Sequence, residues 1–422
     1  MAPKQEIVIT GVGVVSPIGI GNEAFWTSLR EGRSGVHYLD LFGQSDLPVA
    51  FGADVADFEP KHYVRPRKSL KVMSRDIQLA FAAADLACAE AGTRENPIDP
   101  ERLGIVFGSE MITCELSELV AAYRSCIVDG EFDFSRWGEA FMAEMYPLWM
   151  LKYLPNMPAC HIGIAQDARG PNNSLTLGDV SSLSAVTEAI RVIERGQADA
   201  MIAGGAGSRI HPASWVRWEV YELSQRSDAP AAASRPFDAQ RDGMVNGEGA
   251  GAFLLESRRH AEARGTRILA RVLGHASAFE PCRNGQAPQG RAIRHAIRRA
   301  LDDAGLAPSD IGHVNANGAS TTLDDRIEAR AIHEVLGDVA VTAPKSFFGN
   351  LGAGSGAVEM AASVLALNQG LVPHTLNYQT PDPNCPVRVI HTEPAAAESP
   401  TALVLNHTIF GQAVAIALGA AE

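Results

Sequence analysis

The amino-acid sequence predicts an α/β fold: a mostly parallel sheet covered by helices on both faces, arranged as two related halves over residues 1–256 and 257–422. Three observations carry this. Short apolar runs alternate along the chain with helical patterns of about 10 to 15 residues, which puts helices on both faces of a sheet. With 422 residues the chain exceeds a single domain of about 150 residues and has room for two or three core-bearing units. An internal echo points to duplication. Asp179 opens a small-residue helix after a strand, and the stretch 352–367 (GAGSGAVEMAASVLAL) opens a similar helix after KSFFGN.

Taken in order, residues 7–13 read as a buried strand, followed by a helix over 22–30 with Asn22 as its N-cap. Residues 76–91 form a helix of alanines and leucines, and 103–108 a strand. Residues 173–178 alternate as a short strand, and from Val180 onward the apolar positions recur at helical spacing. ADAMIAGG (198–205) and residues 249–256 are further buried strands. In the second half, 290–304 is a basic amphipathic helix, 313–316 a strand and 327–336 a helix. Residues 109–160 are the least patterned. Their methionines and aromatics (Tyr123, Trp137, Met142, Met145, Tyr146, Trp149, Met150) fit core or a dimer surface better than a substrate wall. Residues 225–234 read as a surface loop.

Composition narrows the function. Apolar residues make up 46% and charged ones 20%, as in water-soluble globular proteins. A formal charge of −13 argues against nucleic acid and anionic membranes as partners. The segment 7–21 is broken by glycines and Pro17, so it reads as strand and turn, not as a signal peptide. No run of about 18 apolar residues predicts membrane insertion. The six cysteines (88, 114, 126, 160, 282 and 385) lack a CxxC pair, which fits a cytoplasmic location without a zinc or other metal site. Gly204-Gly205 and the glycines at 247, 249 and 251 lack GxGxxG spacing and predict close packing, with no nucleotide and no cofactor.

The stretch 170–195 organises the rest. Asp179 sits on a sharp strand-to-helix turn, where helix N–H groups and the macrodipole favour an anion. Such an elbow suits a reactive nucleophile, yet it holds a carboxylate. The plainest role for Asp179 alone is an N-cap, worth about 0.5–2 kcal/mol.

Four segments carry a family resemblance over nearly the whole chain: IVITGVGVVSPIG (7–19), GPNNSLTLGDVSSLSAV (170–186), SRPFDAQRDGMVNGEGAGAFLLE (234–256) and NQGLVPHTLNYQTPDPNC (368–385). The sequence resembles the β-ketoacyl synthases, the condensing enzymes of fatty-acid and polyketide assembly. The resemblance implies a thiolase-like fold with layers α-β-α-β-α and a site between the halves. In that family the Asp179 position is the acyl-accepting cysteine. Two histidines complete the site, in a VNAHGTST-like strand end and a KSxxGHxxGAAG-like loop. Here those positions are Asn317 and Asn350, while Lys345, Asp325, Glu328 and Glu359 match the family framework. An amide has no pKa near neutrality, so neither asparagine can act as a general acid or base, though both can donate hydrogen bonds. Asp179 flanked by two amide donors then reads as a satisfied polar network. The family's final NSFGFGGTN loop reads Asn406-His-Thr-Ile-Phe-Gly-Gln-Ala-Val414, with Thr408 at the gate position and Gln412 and Val414 replacing Gly and Asn. The Thr408 backbone N–H remains a candidate oxyanion donor. His407 is the one imidazole placed to rescue chemistry.

The resemblance also implies partners. Strand 173–178 corresponds to the family strand that pairs across a two-fold axis, so a dimer is expected. Arg65, Arg67, Lys68 and Lys71 form a basic cluster, either a solvated helix start or, as in the family, a docking site for acidic acyl carrier protein. Three functions fit. The first is a non-condensing partner of an active ketosynthase, like the chain-length factors of type II polyketide and polyene systems. The second is an enzyme using Asp179 for decarboxylation, hydrolysis or acyl transfer on thioesters. The third is a homodimeric acyl- or carrier-protein-binding scaffold.

Overall fold

A computed structural model describes residues 5–40, 50–215, 222–281 and 287–421; Cys282 lies outside them. The first half contributes β1 (Ile7–Ser16), α1 (Asn22–Glu31), α2 (Arg75–Glu90), β2 (Leu103–Gly108), β3 (Asn172–Leu175), α3 (Ser181–Glu194), β4 (Ala200–Ser208) and β5 (Glu248–Ser257). The second contributes β6 (Ala270–Phe279), α4 (Arg291–Ala304), β7 (His313–Asn315), α5 (Asp324–Leu336), β8 (Ala340–Thr342), α6 (Ser355–Gln369), β9 (Thr401–His407) and β10 (Gln412–Ala420).

Among the described residues these ten strands lie in one sheet of 12 strands, in which one path is walked twice. The first five lie in the order β3-β2-β4-β5-β1 and the second five in the order β8-β7-β9-β10-β6. β1 and β6 join the two over three residue pairs, Ile7–Val272 to Ile9–Ala270. The sheet is mixed, not mostly parallel. β2 pairs in parallel with β3 and β4, and β7 with β8 and β9. β5 and β10 run against their neighbours. For β10 the cause is local: only residues 408–411 separate it from β9, enough for a hairpin and far too few for a parallel crossover.

Burial follows from apolar residues on alternate strand positions. One face of β2, β4 and β5 packs on α2 through Ile105, Phe107, Ile202 and Leu254. The second half covers its outer face with α4 and α5, through Ile297, Leu301, Ile332 and Leu403. Between the two sheet halves, α3 and α6 pack on each other and on β1, β9 and β10. This gives the order helix, sheet, helix, sheet, helix. Close approach explains the glycines: a Cβ on Gly204 would lie 2.1 Å from the Gly251 carbonyl oxygen.

Some local expectations change. Gly21, not Asn22, is the cap residue of α1; the Asn22 amide instead donates to the Val12 carbonyl and Glu90, tying α1 to β1 and α2. β3 ends at Leu175, because Gly178 at φ 63° turns the chain before Asp179. Much of the 109–160 excursion is surface rather than core: Tyr123, Met142, Tyr146 and Met150 are exposed around a string of ring contacts from Tyr123 through Trp137, Phe141 and Trp149 to Tyr153. The 225–234 loop is largely at the surface but buries Ala233 and Ser234, whose hydroxyl donates to the Lys345 carbonyl.

One buried group sets an acid limit. Among the described residues His313, in β7, has no hydrogen-bond partner for either ring nitrogen, and burial pushes its imidazole down to about 4. The unfolded chain therefore binds a proton near pH 6.5 that the folded chain refuses until about pH 4, so stability is lost as pH falls through this window, by about 3 kcal/mol at its foot. His313→Leu is expected to gain in melting temperature over wild type as pH falls from about 7 to about 4.5. A difference that does not vary with pH would clear the histidine.

Candidate active site

Asp179 occupies a single 3-10 turn, Gly178–Val180, between β3 and α3. It does not cap the helix: the cap residue is Val180, without a side-chain hydrogen bond. The turn is closed instead by Ser181, whose hydroxyl accepts from the Leu177 N–H and donates to the Gly178 carbonyl. The Asp179 carboxylate is free to point away from the helix, and Arg209 meets it. The guanidinium lies 2.5 Å from Oδ1 and 3.1 Å from Glu110, with both cation and carboxylates largely buried. Asn350 Nδ2 donates to Oδ2 at 3.3 Å, while its Oδ1 accepts from the Gly352 N–H and the Ser355 hydroxyl. One guanidinium thus serves two carboxylates.

Asn317 does not reach Asp179, so a single amide flanks the carboxylate, not two. Its Oδ1 accepts from Lys345 Nζ and from Asn406 Nδ2, and Lys345 also donates to its main-chain carbonyl. Lys345 makes a short ion pair with Glu359, which also accepts from Asn406. Burial raises the Glu359 carboxyl to about 7 despite the lysine beside it. Glu328 accepts from the main-chain N–H groups of Asn317 and Gly318, holding the loop after β7. Asp325 accepts from those of Phe237 and Ser320, which have φ values of 64° and 67°. Left-handed backbone at such residues costs on the order of 1–3 kcal/mol each, and the buried carboxylate offsets part of it.

The last loop is a closed hairpin. The Thr408 N–H donates to the Gln412 carbonyl at 3.0 Å, so it is spent within the loop and not offered as an oxyanion donor. The Thr408 methyl would lie 3.9 Å from a Cβ at Gly178, so loop and elbow pack together. They enclose an open cleft of about 300 Å³, walled by Thr176, Leu177, Asp179, Arg209 and Phe410. His407 is buried with its Nε2 3.6 Å from Glu328. Burial alone would lower its pKa, but the Glu328 carboxylate beside it, with the charge of Asp324, raises it above its ordinary value. No hydrogen bond or ion pair connects His407 to Asp179 among the described residues.

The structure therefore brings Asp179 and Asn350 together in one cluster, and Asn317, Lys345 and Glu359 in an adjoining one, with Glu328 between Asn317 and His407. Arg65, Arg67, Lys68 and Lys71 lie apart and exposed, on and before a 3-10 turn (Arg67–Val72), not on the α-helix that follows. Sequence reasoning missed Arg209 and Glu110. Their signal was weak but present: Arg209 stands one residue and Glu110 two residues past an apolar strand, and β2 and β4 pair in parallel with Gly108 opposite Gly205. Residues just past the C-terminal ends of neighbouring parallel strands emerge together.

The residues 4–261 match the β-ketoacyl synthase N-terminal domain family, and residues 269–379 match the C-terminal domain family. The chain is 34% identical to 3-oxoacyl-[acyl-carrier-protein] synthase 2 of Synechocystis over 388 residues, covering 90% of each chain. It is 34% identical to actinorhodin polyketide putative β-ketoacyl synthase 1 of Streptomyces coelicolor over 430 residues, covering 99% of this chain and 89% of that one. Among solved structures it is similar to the ishigamide ketosynthase/chain length factor, with a TM-score of 0.88, 28% identity and full coverage of both chains. It is also similar to the structure of a type II polyketide ketosynthase with its acyl carrier protein, AntDE:AntF, with a TM-score of 0.84 and 28% identity over the full length of both. Fold, sequence and paired domain matches converge: this chain belongs to the β-ketoacyl synthase family and has its thiolase-like fold.

Proposed function

We propose that the chain is a non-condensing ketosynthase-like subunit that pairs with an active ketosynthase in fatty-acid, polyketide or polyene assembly and meets acyl carrier protein there. One observation carries this reading: the nucleophile position holds a carboxylate already bound by Arg209 and Asn350. A carboxylate forms no thioester, and the groups around it are engaged. Lys345 is tied to Glu359 and Asn317, and the Asn350 amide to Asp179. Pairing is supported by β3, which ends the sheet with one edge unpaired among the described residues, and by the exposed Leu177 two residues beyond it. Covering both removes a strand edge and an apolar side chain from water. The exposed Arg67, Lys68 and Lys71 suit an acidic carrier protein, whose docking by charge gives rate and register more than affinity.

Incubation with an acyl thioester donor followed by intact mass measurement is expected to show no acyl adduct, and carrier-protein thioesters no condensation. Turnover of any thioester that is lost in Asp179→Asn would overturn the proposal in favour of a carboxylate-based enzyme. Light scattering is expected to give a dimer of the 44.9 kDa chain, alone or with a synthase partner; a monomer across micromolar concentrations in both settings would contradict it.

Asp179→Cys tests whether the elbow survives its change of residue. The helix N-terminus and Arg209 both favour a thiolate, so its iodoacetamide reaction should outpace that of Cys88, which burial pushes up to about 12. That variant should still not condense. Adding Asn317→His and Asn350→His supplies proton-handling groups, worth about 10²–10⁴-fold each where geometry allows.

The ion pair makes its own forecast. Arg209→Met leaves Asp179 and Glu110 buried without their cation and should cost about 3–5 kcal/mol. A double-mutant cycle with Asp179→Asn should return a coupling of about 1–3 kcal/mol in urea melts. Zero coupling would mean that the contact holds nothing.

A further inference from the structure

The basic amphipathic helix of the second half takes no part in the elbow. α4 buries Ile293, Ile297 and Leu301 and turns Arg291, Arg294, His295, Arg298 and Arg299 outward, Arg294 half-buried and the others exposed. Arg294 and Arg298 share one carboxylate, Glu334 of α5, at 3.4 and 3.3 Å, and Arg291 binds Glu280 at 3.0 Å. One turn before Glu334, the exposed Arg330 bonds only the Asn384 side chain. Neither Arg299 nor Arg330 makes an ion pair among the described residues. The other acids of the two helices are placed elsewhere. Asp302 and Asp303 end α4, where Asp303 accepts from the His275 N–H. In α5, Asp325 and Glu328 are buried on loop N–H groups, and Asp324 accepts from the Thr321 hydroxyl. The outward arginines are thus paired only by Glu280 and Glu334, on a chain with a net charge of −13.

Such a face works against its own helix. Arg291 and Arg294 repel at a spacing of three residues, and Arg294 and Arg298 at four. Arg291 also stands in the first turn, where the macrodipole disfavours a cation. An ordinary solvated face intersperses both signs and avoids these costs. Carboxylates brought from outside relieve them, and guanidinium forks suit carboxylates because each can make two parallel hydrogen bonds. From Arg291 to Arg299 the face runs about 12 Å along the helix, which fits acids spread over a protein surface better than one small anion. The negative chain argues against nucleic acid as the polyanion. The start of α4 also lies near the elbow: Gly290, Ala292 and Ile293 pack about His407, Thr408 and Gln412, and the last two border the elbow cleft.

We infer that the arginine face of α4 is a docking surface for an acidic protein, the acyl carrier protein of the function proposed above, on which this inference rests. It acts in addition to the cluster at 65–71. The carrier's acids would cover Arg298 and Arg299 and continue to Arg330.

Binding of the source organism's acyl carrier proteins, in their apo forms, to the full chain at low and high salt tests it. Wild type is expected to bind at low salt and to lose affinity as salt rises. Arg298→Glu with Arg299→Glu should weaken binding by about tenfold or more and flatten the salt dependence. The same two positions changed to Ala should weaken it less, in the same direction. Arg30→Glu with Arg259→Glu, exposed arginines far along the chain, shifts the net charge equally and should leave binding within about twofold of wild type. Equal losses in the two Glu variants would reduce the effect to net charge and overturn the inference. Unchanged binding in the folded Arg298/Arg299 variants, with loss only on Arg67→Ala, Lys68→Ala and Lys71→Ala, would overturn it and leave the carrier reading standing. No binding by wild type to any carrier would overturn both.

Discussion

The structure turns on an ion pair that has no water to fall back on. Lys345 and Glu359 are 1% and 0% exposed, and they touch each other. Two charges in such a place cost several kcal/mol each to desolvate, and only good geometry with every remaining hydrogen bond filled offsets it. The surrounding residues meet that demand. Asn317, at the end of β7, accepts the second lysine bond; Asn406, in β9, donates to both Asn317 and Glu359; and Asn315 donates to the Glu359 carbonyl and Ser363. Four segments are thereby locked in register around α6. Glu328 and Asp325 extend the lock to the loops carrying Gly318 and Phe237. Replacing any one member strands a buried partner, so the network is retained or lost as a unit.

The elbow obeys the same rule with different atoms. A helix N-terminus against a buried cleft tolerates an anion, and the preceding glycine turn presents one residue to it. When that residue is aspartate, its charge needs a partner more specific than the helix dipole. Arg209 and Glu110 supply the answer from the ends of β4 and β2. They also fill space: a Cβ on Gly352 would meet Glu110 at 2.0 Å and Arg209 at 3.0 Å. The carboxylate, its cation and the second acid are therefore one packed object at the wall of the elbow cleft.

Legibility in the sequence divides along physical lines. Apolar periodicity is local, so strand 103–108 and the helices at 22–31, 75–90 and 291–304 were readable to within a residue or two. Strand direction was less readable, since β5 and β10 carry the same apolar run whether they lie parallel or antiparallel to their neighbours. Motif resemblance placed Asp179, Asn350, Asn317 and Lys345 in one region, because each stands at a fixed offset from a glycine-rich turn. What it did not give was the direction of each amide. Asn350 turns to Asp179 because Gly352 and Ser355 claim its oxygen, whereas Asn317 turns away because Lys345 and Asn406 claim its own. For Asn317 the competing partners stand 28 and 89 residues away, which no local pattern carries; for Asn350 they stand two and five residues on, and only Asp179, 171 residues away, is remote.

This competition explains why so much of the frame around the elbow is fixed whatever residue stands at position 179. Lys345, Glu359, Glu328 and Asp325 look catalytic when read one by one, since buried charges near a cleft are the mark of reactive centres. Here each has a structural task that does not involve a substrate: two carboxylates hold main-chain N–H groups in turns, one holds a lysine, and the lysine holds an asparagine carbonyl. Their removal would cost stability whether or not any condensation takes place. The elbow residues lack that second task. Position 179 contacts mainly side chains, Arg209 and Asn350, and can change chemistry if those side chains change with it. A frame of this kind separates the residues that hold the loops together from the elbow position, which in this chain is occupied by an ion pair.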